Sequence, residues 1–129
     1  IHIWISSTDS SNANLMILLG FIISGHPDWR KADIKIFDIC KPELEEETRN
    51  NMEELITSGR LPITSSNIEV IPQDPEIHQK DLVNQKSYDA GLVMIGYREE
   101  AVKRDNMFAG YDQVGTILFV NAHSEKVIE

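Results

Sequence analysis

Five short apolar blocks with the character of strands punctuate this chain, separated by longer stretches. The first block, residues 1–5 (Ile-His-Ile-Trp-Ile), alternates poorly and suits a strand covered on both faces of a sheet. Residues 34–39 (Ile-Lys-Ile-Phe-Asp-Ile) predict a second strand and residues 68–71 a short third one. Residues 91–95 predict a fully buried fourth strand, and residues 115–120 a fifth. Between the first two blocks a polar loop rich in N-cap residues, 6–12, leads into the apolar run 15–23, which stops at Gly25 and Pro27. Pro42 with Glu43, Glu45, Glu46 and Glu47 marks another helix start, because proline suits a first turn and carboxylates favour the positive end of the helix dipole. Leu44, Met52, Leu55 and Ile56 then share one face of that helix, and Gly59 offers a stop. Asp74 and Pro75 predict the cap of a weaker helix running to about residue 86, and residues 98–109 predict a polar one.

Strands alternating with helices of this length imply crossover connections and a parallel sheet covered on both sides. The expectation is a single α/β domain over residues 1–129, with a five-stranded doubly wound sheet in the order 3-2-1-4-5. One element departs from that plan. A helix lying on a sheet in water should be polar outside, yet Leu15, Leu18, Leu19, Phe21 and Ile22, with their apolar neighbours, wrap nearly the whole circumference. A neighbouring domain or a second copy of the chain is expected to cover it.

Ligands of doubly wound sheets sit beyond the carboxyl ends of the strands, where the strand order reverses. That singles out Ser6, Ser7, Thr8 and Asp9 after the first strand and Gly96 after the fourth as nucleotide candidates; the same hydroxyls and carboxylate also serve as ordinary helix caps. No Gly-Lys-Ser/Thr sequence occurs, and no glycine lies between Ser6 and Leu19, so neither a Walker loop nor a dinucleotide fingerprint is present. A flavin loop lacks its glycine and aromatic partners. A phospho-acceptor centre lacks its acidic cluster, since Asp9 stands alone and the fifth strand ends in Asn121-Ala122 rather than a lysine. His2, His26, His78 and His123 show no metal-ligand spacing, and the glutamates at 43–47 read as an exposed first turn. No catalytic group, metal site or cofactor is expected.

Composition narrows the surroundings. With 12 Lys and Arg against 21 Asp and Glu, the net charge of −9 disfavours nucleic acid and anionic lipid as partners. A single cysteine, Cys40, fits a reducing compartment and a small buried thiol. The apolar run 15–23 is well short of the ~20 residues that cross a bilayer. The chain opens on Ile1 inside a predicted strand, so it is read as a piece of something longer.

The residues now assembled resemble a known family. Ile1-His2-Ile3-Trp4, then Asp9, the run 15–23, Trp29 and Ile34-Lys35-Ile36-Phe37 are similar to a segment of the cation-chloride cotransporters, especially the Na-K-Cl type. There a strand carrying Trp leads to an acidic loop, a leucine-rich helix, a Trp and a strand of the form Ile-Lys/Arg-Ile/Val-Phe. Residues 87–94 resemble that family's Ser-x-x-Ala/Gly-x-x-Val-Met strand, and Thr116-Ile117-Leu118-Phe119-Val120 its closing strand. The likeness covers both ends of the chain. Residues 41–86 match only in the order of elements, and the crossover from 96 to 116 is shorter than in the animal transporters, as a prokaryotic member would have it. The resemblance implies a universal-stress-protein/flavodoxin-like fold in a domain at the cytoplasmic face of a membrane protein. It also implies partners: the membrane-spanning domain of the same polypeptide, an adjoining α/β half-domain, and a second copy in a homodimer. The implied role is regulation and dimerisation without catalysis and without transport-site residues here. The alternative is a nucleotide-binding sensor of the universal-stress-protein kind, against which stands Gly96-Tyr97-Arg98-Glu99-Glu100, with no second glycine nearby.

Overall fold

The structure is a computed structural model and describes residues 1–6, 10–29, 31–57, 64–97 and 109–121. Strand β1 (His2–Ser6) is followed by helix α1 (Ser10–Ser24), β2 (Lys35–Cys40), α2 (Glu45–Thr57), β3 (Ile68–Pro72), α3 (Gln79–Lys86), β4 (Val93–Gly96) and β5 (Ile117–Val120). All strand pairs are parallel, and the sheet order is β3-β2-β1-β4-β5. The chain therefore has the α/β doubly wound architecture its pattern predicts, with the order reversing between β1 and β4.

Side chains on a strand alternate between faces, and each face here has its own core. On one face Ile3, Ile5, Ile36 and Met94 pack with Met16 and Ile17 of α1 and Met52 of α2. On the other, Trp4, Phe37, Ile39, Val93 and Ile95 pack with Val83 of α3, and Tyr111 and Val114 close over them. Ile3, Ile36, Val93 and Met94 are wholly buried, each burial stabilising the fold by about 1.5–3 kcal/mol. Burial on both faces explains why β1, β2 and β4 are mostly apolar instead of alternating.

Two glycines mark close approaches. A Cβ on Gly20 would lie 2.9 Å from Cδ1 of Ile3, so α1 rides directly on β1. One on Gly91 would lie 3.2 Å from the Trp29 ring, which is tucked under the start of β4. Trp29 belongs to a short 3-10 turn, Pro27–Trp29, that carries the chain from α1 towards β2.

The predicted helix over 74–86 is shorter in the structure. Asp74 Oδ1 accepts a hydrogen bond from the Glu76 amide at 2.9 Å, and the Ile77 amide donates to the Asp74 carbonyl at 3.0 Å. Those bonds close a separate turn, after which His78 is extended and α3 begins at Gln79. Asp74 thus caps a turn rather than the helix, a competition that aspartate side chains often win over helical hydrogen bonding. At Pro42 the chain likewise makes a 3-10 turn, Pro42–Leu44, before α2 begins at Glu45. The expected helix over 98–109 lies, except for Ala109, outside the described residues.

Candidate functional site

The carboxyl edge of the sheet is the first place to look. Ser6 ends β1 in register with Ile39 of β2, and Gly96 ends β4 in register with Val120 of β5. Because Trp4 pairs with Ile95, these two strands finish side by side at the reversal of strand order. The structure thus brings Ser6 and Gly96 to the same edge, while Ser7, Thr8 and Asp9 lie outside the described residues. Just past Gly96 the Tyr97 amide donates to the Val120 carbonyl at 2.9 Å, so it is engaged in the ladder. Along the same edge, but on the α3 face beyond β2 and β3, a cleft of about 300 Å³ is lined by Ile39, Gln73, Asp74, Ile77, His78 and Leu82. Among the described residues no Lys or Arg lines it.

Helix α1 presents a different surface. Its inner side, Met16, Ile17 and Gly20, is buried against the sheet, whereas Leu18 is 57% and Ile22 63% exposed. These two are one helical turn apart and form an apolar stripe facing away from the core. Leu15, Leu19 and Phe21 are partly buried and pack against the inner cluster. Of the five residues expected at a contact, Leu18 and Ile22 face outward and the other three flank them. Leu118 on β5, on the sheet face that α1 covers, is also exposed at 39%. No helix among the described residues is long and apolar enough to cross a membrane.

Comparison with protein-family models, with curated proteins and with solved structures finds no match.

Two polar networks lie inside the molecule. On the α3 face, Trp4 Nε1 donates to Ser87 Oγ at 2.9 Å, and the same hydroxyl lies 2.7 Å from His2 Nδ1. Trp4 stacks on Phe37 with ring centroids 4.3 Å apart, and His2 meets the Phe37 edge-on. Burial pushes the His2 pKa down, opposed by Asp89 and helped by Lys35. With His2 neutral and its proton on Nε2, Nδ1 accepts from the Ser87 hydroxyl, whose oxygen accepts in turn from Trp4. Although it pairs a serine with a histidine, the trio lies within the core, where Ser87 is wholly buried.

On the α1 and α2 face, β2 carries an acid in the interior. Asp38 is only 5% exposed, Oδ1 has no hydrogen-bond partner, and burial raises its pKa to about 6. Cys40, two residues along the same face, is buried as a free thiol with its pKa raised chiefly by burial, against a hydrogen bond from Thr48 that lowers it. Thr48 is itself buried, one turn before Met52 on the inner side of α2. An aspartate inside an otherwise apolar strand was a visible signal; what hid it was that a short parallel strand reads as core regardless of one polar position. Among the described residues no three His, Cys, Asp or Glu side chains gather as a metal site. Asp38, Cys40 and Thr48 therefore form a buried polar cluster beneath the helices.

Proposed function

We propose that this chain is a non-catalytic regulatory and dimerisation domain of a cation-chloride cotransporter of the Na-K-Cl type, held at the cytoplasmic face and acting by contact. The observation that carries the contact is the outward side of α1. Two large aliphatic side chains one turn apart, Leu18 and Ile22, stand more than half exposed on a helix that is apolar on every side from residue 15 to 23. Isolated exposed aliphatics are common, but two aligned on a helix lacking any polar face fit a surface covered by a partner. The transporter assignment is supported by the resemblance of β1 with Trp4, the leucine-rich α1, Trp29, and the strands around Met94 and Leu118.

A domain of this kind needs no reactive group. It changes the transporter through differential contact in its conformational states, the only way a bound module shifts an equilibrium. The test is deletion of the 129-residue segment from the full-length protein, followed by crosslinking of the assembled protein and by chloride-dependent rubidium uptake. Loss of crosslinked dimer, or altered uptake at equal surface abundance, is expected. Unchanged assembly together with unchanged uptake would sink the reading.

A further inference from the structure

Among the strands, β2 combines near-complete burial with an ionisable side chain at its centre. Asp38 lies in register with Ile5 of β1 and Val70 of β3, so aliphatic side chains flank it within the sheet. By strand alternation it shares a face with Ile36 and Cys40, where Met16 and Ile17 of α1 and Met52 of α2 pack. The charged groups on this side are few. From α2, Glu45 and Arg49 act on Cys40 and are bonded to each other at 2.9 Å, and Glu53 lines with Arg49 and Met52 the cleft beside Val70; from β2 itself comes the Cys40 thiol. The side chains of α1 described from residue 15 to 24 include no titratable group. An ionised carboxylate at Asp38 therefore has one oxygen with no donor and aliphatic neighbours on both adjacent strands, an arrangement that favours the neutral acid.

We propose that Asp38 is a proton sensor: as the neutral acid it lets α1 and α2 seat tightly on the sheet, and as the carboxylate it loosens that layer. The sign follows from linkage. Asp38 is shifted up to about 6 in the folded chain, above its unfolded value, so the folded state keeps a proton that the unfolded state releases. The stability it contributes is full below about pH 4 and is lost as pH rises through 6. The layer is tightest on the acidic side of neutrality and loosens across the range in which cytosolic pH varies at its lower end. His2 responds in the opposite sense from the other face of the sheet, so a readout local to α1 and α2 is required.

Amide hydrogen exchange of the 129-residue chain, corrected for intrinsic rates, supplies that readout. Protection of α1 and α2 is expected to be about fourfold higher at pH 5.5 than at pH 7.5. In Asp38→Asn, whose amide mimics the neutral acid, protection should be independent of pH over this interval. A variant that keeps the parent's pH dependence in α1 and α2, or a parent that shows none there, overturns the proposal. Carbon-13 titration of the Asp38 carboxyl in the unmodified chain decides the matter should the variant not fold: a midpoint near pH 6 supports the sensor, and one near pH 4 refutes it.

Discussion

At the scale of single residues, the polar side chains of the interior carry more information than the apolar ones. Ser87 is buried because it serves two ring nitrogens at once, those of Trp4 and His2. Ser87→Ala leaves the Trp4 N–H without an acceptor in a site that is 1% exposed, and is expected to cost about 1–3 kcal/mol in urea unfolding. A cost within about 0.5 kcal/mol, the range of ordinary surface changes, would show that the hydroxyl is dispensable. His2 adds a pH dependence with a definite sign. Its pKa in the fold is lowered by burial, so its contribution is full above the unfolded value near 6.5 and is lost as pH falls below it. The urea midpoint of the parent relative to His2→Gln should accordingly be highest at pH 8 and shrink at pH 5.5. A gap that is constant, or that widens in acid, would contradict the neutral-histidine network.

At the scale of elements, α1 joins core and surface on one helix, and its two sides should respond differently to the same chemical change. Met16 is 1% exposed, so Met16→Ala is expected to cost about 2–5 kcal/mol, while Leu18→Ala should stay within about 0.5 kcal/mol. Urea unfolding of both variants checks this, and equal losses would mean that Leu18 is part of the core. The apolar run marked this helix in the sequence but not its orientation: with apolar residues all round, periodicity cannot say which side is in. The close approach of Gly20 to Ile3 settles that, and it depends on a tertiary contact no local pattern encodes. The start of α3 lies later than its sequence suggests for a related reason. Asp74 has the residue type of a helix cap, but its carboxylate is used in the turn before His78. Strands were legible to within one or two residues wherever both faces were buried, since continuous apolar sequence leaves few alternatives.

At the scale of the whole molecule, the sheet order was legible because parallel strands joined by helices admit few topologies. The ends of β1 and β4 meet as that topology requires, bringing Ser6 and Gly96 to one edge. Asp38 and Thr48 were not legible as a pair, because their proximity to Cys40 depends on how α2 lies over β2. The proposed role by contact carries a prediction for that sheet edge, namely that nucleotides do not bind there. Calorimetry with ATP and AMP at millimolar concentration is expected to show no binding heat, and a saturable heat with either would favour the sensor alternative. The central claim, that the outward stripe of α1 is a contact surface, is tested most directly in the full-length protein. Replacing Leu18 and Ile22 together by Glu changes only side chains that are more than half exposed, so the domain should keep its fold by circular dichroism. Crosslinking of the assembled protein should then fall severalfold and chloride-dependent rubidium uptake should change with it; crosslinking and uptake both equal to those of the unmodified protein would contradict the account.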